Sequence, residues 1–385
     1  PAFRPMAGLP PPGPFDPSPS VSTARPSAEM SQLKDLAAAC RRFPRPAGVS
    51  FAYGVAGFRA RAALLDSTLL RMGALAAARS RAAGKAVGLM VTASHNPEED
   101  NGVKLVDPDG GMLSQEWEPR AEAVANAAEE EGVVEALRAA GGAPGVSEDG
   151  AADATVFLGW DTRPSSDRLA ALAAKGAALW GAKCDLMGEL TTPQLHHLVR
   201  AHNGLAPARW RGEEGYYAML AAGYHGLLAA HAEASPGGPG PARAEPLLVD
   251  CACGVGAPKV RALGAILGPQ GPPLVVVNGV GEGTLNLLCG AEHAQKARAP
   301  PRGLDDPACL PAGARLCSLD GDADRVVFHR YRAGDGAWRL LDGDKIAALL
   351  AGFLGEHLAA ALGPERAAAM LGVVQTAYAN GASGR

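Results

Sequence analysis

Asp320-Gly321-Asp322-Ala323-Asp324-Arg325 carries the strongest chemical signal in the sequence. Hard divalent cations take carboxylate oxygens, and aspartates alternating along a tight loop can converge on one ion. The plainer reading is a solvated acidic turn, but like charges this close repel unless a cation compensates them. An EF-hand also opens D-x-D-x-D. It requires Gly at its sixth position and Glu at its twelfth, where this chain has Arg325 and Tyr331. The motif therefore reads as a metal site of another kind. The second signal is Thr92-Ala93-Ser94-His95-Asn96-Pro97, closing an apolar run that reads as a buried strand. Open α/β sheets bind ligands at the carboxyl ends of their strands, so Ser94 is a candidate nucleophile or phosphate carrier. A turn serine ahead of a proline is the competing reading. Lys104, in Asn101-Gly102-Val103-Lys104, and Arg59, in Gly57-Phe58-Arg59, place cations near the same loop. A phosphoserine carries close to −2. Beside three carboxylates it needs such cations in addition to a divalent ion. His95 could assist proton transfer, but a loop histidine serves as often as a hydrogen-bonding prop, and its role is read as positional.

Short β-rich runs alternate with Ala/Leu helices around these residues, which implies doubly wound α/β layers. Strands are expected at 86–92, 156–159, 247–251, 274–278, 325–331 and 370–376. Helices are expected at 31–42, at 165–180 with Ser165 or Ser166 as N-cap, at 257–267, and at 343–362. Residues 235–246 (SPGGPGPARAEP) read as a surface loop.

At 385 residues the chain is long for one unit, and two or three are expected. Hydrophobic residues make up 47% and aromatics only 5%, a mix that favours helices packed on sheets. A net charge of −4 provides no basic field for nucleic acid or anionic lipid. No uninterrupted apolar run reaches about 18 residues, so no membrane span is expected. The seven cysteines follow neither a disulfide framework nor a zinc pattern. Cys251 and Cys253 read as buried thiols, and a reducing cytoplasm is the natural compartment. Residues 1–29, rich in Pro and Ser, read as disordered. The chain opens on Pro1, Met30 is a candidate start, and a transit peptide is the competing reading of the residues before it.

TASHNP, DGDADR and the GFR turn together resemble the α-D-phosphohexomutase superfamily. MVTASHNPEEDNGVKLVDPDGGML, TTPQLHHLVRAHN, VDCACGVGAPKV, LDGDKIAALL and VVQTAYANGAS are similar to its phosphoacetylglucosamine mutase family. In most of the superfamily the G-x-D-x-R turn precedes the serine loop. Here Gly159-Trp160-Asp161-Thr162-Arg163 follows it, as in that family. The resemblance runs from about Met30 to Arg385.

It implies consecutive mixed-sheet α/β domains: 30–205 with the phosphoserine, 206–300, and a metal-binding third domain at 301–385 that is incomplete, with a fourth absent. It further implies that Ser94 is phosphorylated. Asp320, Asp322 and Asp324 bind Mg²⁺ together with Ser94, and Arg59, Lys104 and Arg325 stabilise the transferring phosphoryl group. Lys104 is also a candidate for moving a proton. Asp161-Thr162-Arg163, Thr191-Thr192-Pro193 and Asp342-Gly343-Asp344 support the cleft. The implied substrate is a phosphorylated amino sugar, with no nucleic acid or membrane partner and no indication of oligomeric state. A glucose or mannose phosphate mutase, or an inactive fragment lacking the substrate-phosphate loop, are the alternatives. Three departures stand out: Val55 where the family has Thr, Trp160 where it has Arg, and Cys253 where it has Asn.

Overall fold

Ten strands pair into two mixed five-stranded sheets in the computed structural model, which describes residues 24–54, 56–141, 144–145, 154–234, 245–311 and 314–374. The first sheet contains β1 (Phe58–Arg61), β2 (Val87–Val91), β3 (Asp100–Val106), β4 (Ala154–Trp160) and β5 (Ala182–Glu189). Their order is β1-β3-β2-β4-β5, with β2, β4 and β5 parallel and β3 antiparallel to both its neighbours. β2 is buried along its whole length, as an uninterrupted apolar strand covered on both faces must be. Helices Asp66–Ala83 and Ser166–Leu179 cover one face. They touch through Gly73 and Gly176, where an added Cβ would lie 1.8 Å from Ala173 O and 1.8 Å from Leu70 O. Any side chain at either position drives the two helices apart. Helix Thr192–His202 covers the other face with Leu195, Leu198 and Val199 against Met90, Val106 and Phe157. A capping box between Thr191 and Gln194 starts it.

The second sheet contains β6 (Leu247–Asp250), β7 (Leu274–Val277), β8 (Arg315–Leu319), β9 (Val326–Tyr331) and β10 (Trp338–Leu341), in the order β10-β9-β8-β6-β7. Burial alternates along β9, and His329 falls on its covered side. Trp338 Nε1 donates to His329 Nδ1 at 3.2 Å, which makes Nε2 the protonated nitrogen facing Ser318 Oγ at 3.0 Å. Burial holds the ring to a pKa of about 4. The unfolded ring takes a proton near pH 6.5. Its contribution to stability is therefore intact above that pH and is lost as pH falls toward 4. Urea midpoints measured across this window are expected to fall, and to fall less steeply in His329→Gln; parallel slopes for the two proteins would refute this.

Several expectations are corrected. The first helix runs Ala24–Arg42, so 24–29 are helical rather than disordered; Pro26 lies in the first turn, where a missing N–H costs nothing. Residues 1–23 lie outside the described residues. The expected boundary at 300 divides the second sheet, because β8 inserts between β6 and β9 and hydrogen-bonds to both. Ser165 stands at the N-cap but caps nothing, and its Oγ instead accepts from Asn101 Nδ2 at 2.8 Å. Residue 370 ends a helix, Pro364–Met370, and 371–374 pair with no strand, so the expected strand at 370–376 is not formed in its described part. The loop expected at 235–246 falls mostly outside the described residues. Helix Gly343–Leu362 has a mean hydropathy of 1.4 over its most apolar window and is long enough to cross a membrane. It passes by length and composition alone, because averaging tolerates Glu356, which interrupts a strict apolar run. Leu349, Leu350 and Phe353 on this helix are exposed.

Candidate functional site

Ser94 leaves the carboxyl end of β2 with φ +51, a left-handed backbone uncommon outside glycine and asparagine. A closed ring of polar contacts holds it there. Its N–H donates to Thr92 Oγ1 at 2.9 Å, and Thr92 donates to Asp161 Oδ2 at 2.7 Å. Arg163 donates through Nε to the same Asp161 oxygen at 3.0 Å and through Nη2 to Ser94 O at 2.9 Å. The Asp161–Arg163 turn, expected to be a support, does support the serine directly.

The aspartate loop turns back on itself after β8: Ala323 N donates to Asp320 O at 3.0 Å, with Ala323 at φ +55. This brings one oxygen from each of Asp320, Asp322 and Asp324 within 4.8 Å of the others. Ser94 Oγ donates to Asp320 Oδ2 at 2.6 Å, so the two motifs meet across the two sheets. Thr192 joins the same contact, donating through Oγ1 to Asp322 Oδ2 at 2.7 Å.

Lys104, on β3, donates to Asp322 Oδ2 and Asp324 Oδ2, both at 3.0 Å. Burial disfavours its charge, but the two aspartates outweigh burial and raise its pKa. An ammonium held this firmly is poorly suited to the proton transfer suggested for it. Burial also works against ionisation of Asp322, yet Lys104 and Thr192 bring its carboxyl down to about 2. Asp320 is pushed up to about 7 by burial and then by the charges of Asp322 and Asp324. Arg325 donates through Nε to Asp320 Oδ2 at 3.0 Å and through Nη1 to Glu292 Oε2 at 2.7 Å.

A cavity of about 570 Å³ opens onto Ser94, His95, Arg59, Lys104, Asp324 and Arg325. Two buried donors beside it, Arg59 Nε and Arg325 Nη2, have no partner among the described residues. Buried donors left in this way fit an anionic group in the cavity. His95 lies with Nδ1 3.4 Å from Ser94 Oγ and Nε2 3.8 Å from Glu292 Oε1. Burial and then Arg325 lower its pKa to about 4, so the ring is neutral at pH 7 and too weak a base to take a proton there. That agrees with a positional role.

The residues fit a hard divalent cation. Among the described residues Asp322 Oδ1 is buried without a partner, and three carboxylates crowd one point. Lys104, Arg59 and Arg325 bring three positive charges to the three aspartates, so a further anionic group in the cavity would call for a divalent charge. Thr92 and His196 lie in motifs quoted above, where no role was read for them, and Glu292 and Asn286 lie in none; the fold brings all four to the cleft. His196 lines the cavity, with Nδ1 2.8 Å from Gly110 O.

Comparison with known proteins adds the following. Residues 64–132 and 130–208 match the family model for the α/β/α domain I of phosphoglucomutase/phosphomannomutase, and 342–385 match domain III of phosphoacetylglucosamine mutase AMG1. The second match begins just after β10, at the edge of the second sheet. The phosphoacetylglucosamine mutase of Sus scrofa is 42% identical over 345 residues, covering 89% of this chain and 59% of that protein. A crystal structure of Aspergillus fumigatus N-acetylphosphoglucosamine mutase in complex with GlcNAc-6P and magnesium is 38% identical with a TM-score of 0.75. That match covers 93% of this chain and 63% of the fungal one. A serine-to-alanine form of the fungal enzyme with glucose 1,6-bisphosphate is 36% identical, TM-score 0.75, covering 87% and 60%. The chain thus spans about three-fifths of the length of the relatives it matches.

Proposed function

We propose, for a chain that belongs to the phosphoacetylglucosamine mutase family, that Ser94 carries a phosphoryl group to and from an N-acetylglucosamine phosphate. The net reaction interconverts the 6-phosphate and the 1-phosphate and supplies UDP-N-acetylglucosamine synthesis. The 2.6 Å contact between Ser94 Oγ and Asp320 Oδ2 carries this reading, because it brings a hydroxyl from one sheet to the carboxylate cluster of the other.

Asp320, Asp322 and Asp324 would hold Mg²⁺ with the phosphorylated Ser94. When bound, the ion neutralises phosphate charge and polarises the phosphorus toward attack. Lys104 holds two of the aspartates in place and keeps the site's charge balanced. Arg59 and Arg325, whose unpartnered N–H groups lie beside the cavity, would stabilise the phosphoryl oxygens, where charge spreads in the transition state. In the first half-reaction the bond from phosphorus to Ser94 Oγ breaks as one to the sugar hydroxyl forms, and the hydroxyl proton ends on Ser94 Oγ. A sugar bisphosphate results. After it turns over, the reverse step returns the other phosphate to Ser94. His95 stays beside the serine hydroxyl, its Nδ1 3.4 Å from Oγ.

The proposed units are a serine unit from about residue 24 to about 205, a metal-loop unit to 341, and a third unit beginning at 342. All seven cysteines are free, which supports a cytoplasmic setting. Glucose and mannose phosphates are the second reading, favoured by the match of domain I to the phosphoglucomutase/phosphomannomutase model. Incubating the protein with glucose 1,6-bisphosphate and Mg²⁺, then offering each of the three sugar monophosphates, tests both. Phosphate is expected on Ser94 and its transfer fastest to the acetylglucosamine phosphates. Failure of Ser94 to accept phosphate sinks the mechanism, and faster transfer to glucose or mannose phosphate favours the second reading.

A further inference from the structure

Ser94 O and Asn96 O each accept two hydrogen bonds, and in both cases one donor comes from each sheet's side of the cleft. Arg163 Nη2 supplies 2.9 and 3.0 Å contacts from the first. Asn286 Nδ2 supplies 2.9 and 3.0 Å contacts from the second. Both amide hydrogens of Asn286 are thereby used. Turning the amide over would set Oδ1 against two carbonyl oxygens, so its orientation is fixed. Gly321, in the aspartate loop, packs on the same point: a Cβ there would fall 2.6 Å from Ser94 O and 3.1 Å from Asn286 Nδ2. Asn286 is itself anchored, its N–H donating to Ala252 O at 2.9 Å with φ +61.

We propose that Asn286 is a positioning residue that sets the spacing between Ser94 Oγ and the aspartate loop. This rests on the reading of Ser94 as the phosphate carrier. Arg163 ties the serine loop only to its own sheet, since its other partners are Asp161, Pro97 O and Asp100 O. Asn286 ties the loop to the sheet that bears Asp320. The segment that holds it leads into the helix Gly290–Ala297, whose Glu292 fixes Arg325. One short stretch therefore registers the serine main chain and a phosphate-facing cation against the same metal loop. Small misplacements of reacting groups reduce rates steeply, by up to about a hundredfold for 1 Å.

Two variants separate the side chain from the backbone. Asn286→Gly keeps the left-handed conformation at no steric cost and removes the amide. Asn286→Asp keeps the shape and replaces both donated hydrogens by acceptor oxygen. Phosphate uptake on Ser94 from glucose 1,6-bisphosphate with Mg²⁺ is followed by intact mass, at a temperature where every protein is folded. Both variants are expected to lose about tenfold to a hundredfold in the saturating rate with the half-saturating bisphosphate concentration unchanged, because Asn286 does not line the cavity. Amides of residues 93–96 are expected to exchange with deuterium faster in both, while β2 stays protected. Wild-type saturating rates in Asn286→Gly, a loss confined to half-saturation, or unchanged exchange at 93–96 each overturn the proposal. If the unmodified protein takes up no phosphate, the carrier reading fails first. The exchange measurement then decides alone whether the latch exists.

Discussion

Ser94→Ala is expected to remove all phosphate uptake, leaving the intact mass unchanged after incubation with glucose 1,6-bisphosphate and Mg²⁺. The fold is expected to survive the change. Alanine tolerates φ +51 no worse than serine, and Asp320 keeps its Arg325 donors at 3.1 and 3.0 Å after losing the serine hydroxyl. The cost in stability is about 1 kcal/mol, that of one hydrogen bond. Loss of uptake with a nearly unchanged urea midpoint therefore separates chemistry from folding. Phosphate appearing on the alanine protein at the unmodified rate would place the acceptor elsewhere and end the scheme.

Asp322→Ala is expected to act on both stability and chemistry. Asp322 is fully buried and receives Lys104, whose side chain is only 9% exposed, along with the Thr192 hydroxyl. Removing the carboxylate leaves the buried ammonium with Asp324 alone and costs one charged hydrogen bond, about 1.5–3 kcal/mol. It also deletes a proposed metal ligand, so uptake is expected to fall to the level seen with a chelator. Pairing it with Lys104→Met removes the half-compensated charge and is expected to restore part of the stability but none of the uptake. A double variant no more stable than the single one would show that the pair is not what joins the two sheets. Uptake that persists in Asp322→Ala and resists chelation would remove the metal from the scheme.

The candidate residues were legible because each group is contiguous. The three aspartates fall within five residues and pointed to a metal by type and spacing, whereas Ser94, in a strand-end hexapeptide, needed the family resemblance to outweigh a turn serine. Their supports were not legible. Asn286 and Glu292 lie in ordinary sequence, and their function comes from a helix start that the fold lays beside Ser94 and Arg325. The sheet content was read in part: β2, β4, β6, β7 and β9 fall where apolar runs end in turns, whereas β1, β3, β5 and β10 were not expected. The boundary at 300 was misplaced because β8 belongs between β6 and β9. Strand insertion is a long-range pairing with no local mark on the chain. The strand expected at 370–376 shows the same limit from the other side. A β-prone run forms a strand only where a neighbour offers its backbone, and 371–374 have none among the described residues.

The order of the strands along the chain carries a consequence for biogenesis. The serine sheet closes at Glu189, whereas β8 and the aspartates follow far downstream. At roughly 5–20 residues per second, a ribosome separates the two by several seconds or more. Through that interval Asp322 and Asp324, the two carboxylates that hold Lys104, have not yet been made, so the lysine's pairing in the finished fold waits on the second sheet.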